Sequence, residues 1–369
     1  MSHARESSHA DPSGGCNRLI LGDNLRALGD GGLVGEGSVD LAYLDPPFNS
    51  EARYEARGAS ARGAGLVVGG ARRVFEDVWR WDDQAERLRG ELVGDARCRP
   101  ALQRLLGHVE ALSESAGMRA YVVHLAARVE LVRRSLRETG SLFLHCDGSA
   151  GHAIRLMLDA AFGAAMFRNE IAWCYTGPSN TTRWFPRKHD VILWYAKSDA
   201  AVFRRDRVRV AYAKSLSAAR ARTGIYEGRA YDDLDERLRE GDARGKVVED
   251  WWADITPVGR NAGERLGYPT QKPVKLLERI VLAASDPGAV VLDPYAGSGT
   301  TIEAVERLNR AAGDPMGGGS AGEAEPRRWI AIDQSEVAAE TIGRRLARME
   351  PRPRYEVIES DATATGARR

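Results

Sequence analysis

The apolar run Val39-Asp40-Leu41-Ala42-Tyr43-Leu44 stops at Asp45-Pro46-Pro47-Phe48. Its length and character predict a buried strand. Neither proline can donate to a sheet ladder and each fixes its φ, so the strand must end at Asp45. Beyond that end stand a carboxylate, a rigid carbonyl at Pro46 and an aromatic ring at Phe48. Open α/β sheets hold their ligands outside the carboxyl ends of their strands. Two acceptors and a flat stacking face suit a planar molecule carrying an exocyclic amino group, such as a nucleobase.

Similar strand signals recur along the chain. Arg18 to Leu21 predicts a strand, followed by Gly22-Asp23 and a helix from Asn24. Leu125, Val129, Val132 and Leu136 share one face of a helix predicted over 119–138, which Gly140 would stop. Strands are predicted at 141–145, 170–175, 190–195, 290–293 and 329–333, with helices at 152–162, from Thr270 (a cap, with Pro273 in the first turn), up to about 308, and at 335–348. This alternation predicts an α/β fold: a doubly wound, mostly parallel Rossmann-like sheet of seven-stranded type, with helices on both faces.

The 369 residues suffice for one elaborated α/β domain or for two, and 43% hydrophobic content can supply a core. The expected organisation is a disordered N-terminus at 1–15 and a first half at 16–199. An insertion of loops and helices without sheet occupies 51–117. A separate, recognition-like region follows at 200–268, then a second half at 269–358, with a mobile loop at 311–326 and a disordered tail at 359–369. The formal net charge is only +1, so affinity for a polyanion has to come from local patches. One such patch is Val202 to Val210, where Arg204, Arg205, Arg207 and Arg209 give a predicted edge strand a basic face. That face is either solvated edge protection or a contact for a phosphate backbone. Lys214, Arg220, Arg222 and Arg229, interleaved with tyrosines, extend it. The four cysteines form no C-x-x-C pair, so neither a zinc site nor a disulfide framework is indicated. No apolar run approaches a membrane span or the core of a signal peptide, and the expectation is a cytoplasmic protein away from membranes.

A second strand end carries Asp293-Pro294-Tyr295-Ala296-Gly297-Ser298-Gly299-Thr300. Glycines between a strand and a helix let a ligand approach the backbone. A phosphate-binding P-loop needs a lysine before the Ser/Thr, and Gly299 stands there instead; a dinucleotide fingerprint needs a third glycine, and Ile302 has that place. A nucleoside without phosphates remains. S-adenosylmethionine is one, and its positive groups suit Asp293. Asp333, ending the next strand, could hold ribose hydroxyls or simply cap a helix.

Together these segments resemble the β class of amino-directed bacterial DNA methyltransferases. Asp45-Pro46-Pro47-Phe48 matches the catalytic D-P-P-[YFW] motif, Asp293 to Thr300 the cofactor motif, and Thr270-Gln271-Lys272-Pro273 the segment preceding it. The catalytic motif lies upstream of the cofactor motif, the permuted order of that class. Gly22 to Leu25 and 121–197 also resemble it. The resemblance implies S-adenosylmethionine as cofactor, no metal, and double-stranded DNA as partner. It implies direct methyl transfer to a flipped base held by Asp45, Pro46, Pro47 and Phe48. It further implies Asp23 against the cofactor adenine, and Lys272 and Pro273 at the methionine end. Tyr295 stands where phenylalanine is commonest. Asp at the first motif position resembles adenine-N6 members more than cytosine-N4 members. Cytosine N4, an RNA base, and a non-catalytic subunit of a restriction-modification complex are the alternatives. A homodimer and a companion restriction endonuclease stay open.

Overall fold

The computed structural model describes residues 15–50, 53–56, 72–211, 244–259, 262–313 and 325–360. Nearly all of the expected disordered segments (1–14 of 1–15 and 361–369 of 359–369), most of the 311–326 loop and the basic stretch from Lys214 to Arg229 lie outside these residues, while Glu359 closes a strand.

The first half runs β1 (Asn17–Leu21), α1 (Asn24–Gly29), β2 (Val39–Leu44), a hairpin of β3 (Arg53–Ala56) and β4 (Arg72–Glu76), α2 (Asp83–Gly94), α3 (Pro100–Gly107), α4 (Ala116–Ser135), β5 (Leu136–Cys146), α5 (Gly151–Phe162), β6 (Phe167–Cys174) and β7 (His189–Ala196). Short strands β8 (Arg209–Val210), β9 (Lys246–Val247) and β10 (Trp251–Trp252) follow. The second half is α6 (Val274–Ala284), β11 (Val290–Asp293), α7 (Thr300–Gly313), β12 (Arg328–Asp333), α8 (Glu336–Ala347) and β13 (Tyr355–Glu359).

Among the described residues nine strands form one sheet in the order β10-β6-β7-β5-β2-β11-β12-β1-β13. Every neighbouring pair is parallel except those made by β7, which runs antiparallel to β5 and β6. One face buries Leu28, Val123, Val129, Ile154 and Leu158 from α1, α4 and α5, with α2 and α3 behind. The other buries Leu277, Ile280, Val305, Ile342 and Leu346 from α6, α7 and α8. The doubly wound, mostly parallel fold class is borne out, with two strands beyond the seven-stranded type.

Four local expectations are corrected. The segment 51–117 contains the β3–β4 hairpin as well as helices; its strands are short and charged, which hid them. Gly140 does not stop α4, which ends at Ser135, but lies inside β5. A Cβ there would come within 3.1 Å of the Val39 carbonyl oxygen, so the glycine serves close strand approach. Thr270 does not cap α6: its φ is 58°, Pro273 holds the cap position, and the Glu264 carboxylate accepts from Val274 N at 3.0 Å. Residues 205–208 form a 3₁₀ turn and only Arg209–Val210 a strand, which pairs with β9 rather than the main sheet. The strand β13 went unforeseen; it extends the sheet beyond β1.

Candidate active site

Strands β2 and β11 are hydrogen-bonded neighbours, with Leu41 opposite Val291 and Ala42 opposite Leu292. The chain leaves β2 toward β5 and leaves β11 the other way, toward β12. Their carboxyl ends therefore part at the topological switch point, where α/β sheets leave a crevice. A cavity of about 250 Å³ opens there, and Asp45, Phe48, Asp293 and Gly297 all line it. Two stretches far apart in sequence thus converge on one space.

On the β11 side the turn is built by the backbone. Gly297 and Gly299 have φ of 50° and 74°, in the left-handed region. A Cβ on Gly299 would sit 2.9 Å from Ile342 Cγ1 of α8, and one on Gly297 would sit 3.3 Å from the Tyr268 ring. The buried Asp293 carboxylate accepts from Tyr295 N (3.0 Å) and from the Thr301 hydroxyl (2.6 Å). Burial, outweighing these bonds, pushes it up to about 7. Asp333 accepts from Gly297 N (2.8 Å) and Ser335 N (2.8 Å), tying the end of β12 to the glycine turn; burial raises its pKa as well. Arg345 of α8 donates to the Ser298 carbonyl (2.7 Å) and pairs with Glu303, fixing the turn from behind. Asp23 caps α1, accepting from Leu25 N (2.8 Å) and Arg26 N (3.2 Å), and its second oxygen faces Arg128 at 3.4 Å. Asn24 donates to the Pro294 carbonyl (2.8 Å), joining the ends of β1 and β11. Pro294, Tyr295, Ser298, Thr300, Asp23 and Asp333 line the cavity. Gly299 and Pro273 do not: Gly299 lies behind the turn against α8, and Pro273 starts α6.

On the β2 side, distant side chains hold the loop. The Lys272 ammonium donates to both Asp45 oxygens, at 2.8 and 2.7 Å, across 227 residues of sequence. It also lies 5.1 Å from the Phe48 ring centroid. Phe48 stacks on His145 at 5.7 Å and 21°. The wholly buried His145 meets Asp190 through Nε2 (3.1 Å) and the Tyr43 hydroxyl through Nδ1 (2.9 Å). A carboxylate only accepts, so Nε2 carries the proton and Nδ1 accepts from Tyr43. Burial, and then the Lys272 charge, lower the imidazole's pKa, consistent with this neutral tautomer. Burial and the carboxylates of Asp45 and Asp293 raise the Tyr43 phenol, so it keeps its proton. Tyr175 donates to the other Asp190 oxygen (3.0 Å). Asp77, 1% exposed, accepts from Asn49 N (2.7 Å), Ser50 N (2.7 Å), the Ser50 hydroxyl (2.6 Å) and the Trp79 indole (3.1 Å). This clamp holds Asn49 at φ 59°, immediately after Phe48.

The sequence did not single out Tyr43, Asp77, His145, Asp190 or Tyr268. His145 ends a predicted strand and Asp190 begins one, so strand-end position was the one available signal. Arg204, Arg205, Arg207 and Arg209 lie away from the cavity. Arg204 and Arg207 grip Asp286 at 2.5 and 3.1 Å, and Arg209 grips Asp206 at 2.6 Å. Arg205 is the loosest of the four, 65% exposed and 3.8 Å from Asp206. Among the described residues no group of three or more His, Cys, Asp or Glu side chains could hold a metal ion, and no helix is long and apolar enough to cross a membrane.

Residues 39–344 match the profile of the N6/N4 methyltransferase family, described as DNA methylase. The chain is 32% identical over 192 residues to the type II methyltransferase M.BglII of Bacillus subtilis, covering 49% of each chain. It is 22% identical over 358 residues to the Mod subunit of the type III restriction-modification enzyme StyLTI of Salmonella typhimurium, covering 80% of this chain and 51% of that one. The chain spans about half the length of the curated relatives it matches. Among solved structures it is similar to the cytosine-N4-specific PvuII DNA methyltransferase, at 13% identity and TM-score 0.49, over 96% of this chain and 98% of the other. It is also similar to an M1.HpyAVI–SAM complex, at 15% identity and TM-score 0.46, over 89% and 98%.

Proposed function

The chain belongs to the N6/N4 DNA methylase family, and from that premise we propose that it transfers a methyl group from S-adenosylmethionine to the exocyclic N6 of an adenine flipped out of double-stranded DNA. The observation that carries this reading is the single cavity shared by Asp45 and the Gly297 turn at the switch point.

The residues present fit S-adenosylmethionine. Asp293 is a buried carboxylate whose bonded partners are a hydroxyl and an amide rather than a cation. A ligand bearing positive charge would relieve the burial that raises its pKa. The left-handed turn at Gly297 lets a ligand approach the backbone, and Tyr295 offers an aromatic wall. Asp23 and Asp333 would face the nucleoside, with Asp333 keeping its two backbone bonds. When bound, the cofactor supplies a methyl group on a positively charged sulfur, an electrophilic carbon with a neutral leaving group.

The remaining work falls to the chain. An aromatic amine is a poor nucleophile because its lone pair is delocalised into the ring. Asp45 and the Pro46 carbonyl would accept its two N–H groups, favour the pyramidal form and stabilise the positive charge that develops on nitrogen as the C–S bond breaks, and the methylated nitrogen would then give up one of those protons through Asp45 to water. Pro47 keeps the loop rigid. Phe48, backed by His145, would stack on the base. Lys272 acts as a positioning residue: it holds both Asp45 oxygens here and would yield one to the incoming amino group. The base reaches this pocket only outside the helix, at a cost of a few kcal/mol for unpairing and unstacking.

Purified chain, methyl-labelled S-adenosylmethionine and unmodified bacterial DNA test the reading, with the product digested to nucleosides and weighed. N6-methyldeoxyadenosine is expected. N4-methyldeoxycytidine would overturn the choice of base. An absence of transfer would overturn the enzyme reading in favour of a binding subunit. One relative is a type II methyltransferase and another the Mod subunit of a type III restriction-modification enzyme, which supports a restriction-modification setting for this chain as well.

A further inference from the structure

The loop 176–188 joins β6 to β7 at the end of the sheet where β2 and β11 also finish, outside the lining of the cavity itself. It carries Arg183-Trp184-Phe185-Pro186-Arg187-Lys188, and no acidic residue occurs between Glu170 and Asp190. Phe185 is 94% exposed, the most exposed large apolar side chain among the described residues, and Trp184 beside it is 63% exposed. Water-facing aromatics at such exposure are unfavourable in the free protein and mark a contact surface. The loop is nonetheless braced. The Thr181 hydroxyl donates to the Trp184 carbonyl (3.0 Å), the Lys188 ammonium to the Pro178 carbonyl (3.1 Å), and Tyr175 N to the Lys188 carbonyl (2.9 Å). Phe185 precedes a proline, which restricts its backbone to extended conformations.

The root of the loop is wired to the β2 side of the cavity. Tyr175 bonds Asp190, Asp190 bonds His145, and His145 stacks on Phe48. The loop that carries the aromatic tip is therefore anchored, at its root, to the side of the pocket that would receive a flipped base. Extruding a base leaves a gap in the duplex, and apolar side chains that enter such gaps recover part of the lost stacking. We propose that Phe185, supported by Trp184, enters the base stack of duplex DNA at the gap left by the extruded base, while Arg183 and Arg187 contact the flanking phosphates. The inference rests on the reading of the chain as a DNA methylase and identifies how its duplex would be held open.

The test uses the full chain and short duplexes, one intact and one with a single abasic site as a ready-made gap. Wild type should bind the gapped duplex several-fold to about tenfold more tightly, the scale of one base–aromatic stack. Phe185→Ala should lose that preference and methylate intact duplex DNA about tenfold more slowly. Phe185→Trp should retain both properties, and S-adenosylmethionine affinity should be unchanged in each variant. A Phe185→Ala protein that keeps the preference and the rate overturns the inference. If wild type transfers no methyl group yet shows a Phe185-dependent preference for the gap, the methylase reading fails while this one stands. If light scattering shows that Phe185→Ala dissolves a dimer and leaves DNA binding unchanged, the patch is a contact between chains and the inference is overturned.

Discussion

The two strand ends that meet in the cavity are built in opposite ways. The β11 end is mostly local: Asp293 to Thr301 form it within one turn, which Asp333, Asn24 and Arg345 tie down from outside. The β2 end is assembled from a distance. Lys272 grips Asp45, Asp77 grips Asn49 and Ser50, and His145, held by Asp190, backs Phe48. The first end holds its shape by φ angles and N–H donors, the second by side-chain partners. Cofactor binding should therefore depend on the turn, and chemistry on the partners, with little leakage between them.

Asp45→Ala is the sharpest way to break that contrast. Loss of a preorganised acceptor at the reacting group should lower kcat by about 10²–10³-fold. Cofactor affinity by calorimetry should stay within about twofold, since none of the turn's bonds involve Asp45. Near-normal turnover would remove Asp45 from its proposed role, and a parallel loss of cofactor would merge the two ends into one unit.

Asp293→Asn should do the reverse. The carboxylate, raised by burial to about 7, must be ionised to attract a positively charged ligand. Affinity should therefore be highest above pH 7 and fall by up to about tenfold per pH unit below it. The variant should bind about tenfold or more weakly at pH 8 and lose this dependence. Stability should move the other way. A folded pKa above the unfolded value costs stability as pH rises from about 4 through about 7, and the cost is complete above that. A rise from 3.8 to about 7 corresponds to at most about 4 kcal/mol. Asp293→Asn should thus raise Tm at pH 8 and leave it little changed at pH 4. A Tm lowered at both pH values would contradict the burial account.

Legibility followed the same division. The sheet was readable because each central strand is a compact apolar run closed by Asp or Pro, and the β11 turn was readable because contiguous residues specify it. The pairing of β2 with β11 followed only once the fold class was granted. The clamps at the β2 end were not readable. Asp77 sits in a charged insertion, and nothing in its neighbourhood says that its partners are two amides and a hydroxyl on the loop after Phe48. Lys272 was expected at the cofactor's methionine end, and its bond to Asp45 joins residues 227 apart in sequence. Long-range side-chain pairing leaves no periodicity to detect, and the charged hairpin strands β3 and β4 lack the alternation that marks a half-buried strand.

Asp77→Asn sharpens the comparison further. The amide can accept at one oxygen but offers N–H groups to donors at the other, so part of the clamp opens. The loop after Phe48 should loosen, lowering kcat by about tenfold with cofactor affinity unchanged. The hairpin anchored at Ser50 should become protease-sensitive, a change that a direct chemical role for Asp77 would not produce. Unaltered proteolysis together with a kcat loss would instead put Asp77 among the groups that touch substrate.

The smallest effect belongs to the arginines outside both ends. Arg204 and Arg207 pair with Asp286 and Arg209 with Asp206, so among the described residues three of the four arginines of 202–210 form ion pairs within the chain. Arg205, mostly exposed and only loosely placed near Asp206, is the member left to meet a phosphate. Arg205→Ala should weaken DNA binding equally across sequences and reduce the salt slope by ~0.9 if it makes one phosphate contact. Arg204→Ala should leave that slope unchanged and instead release Asp286, lowering Tm slightly. If both variants leave the slope untouched, Arg204 and Arg205 make no phosphate contact and the phosphate contacts lie elsewhere.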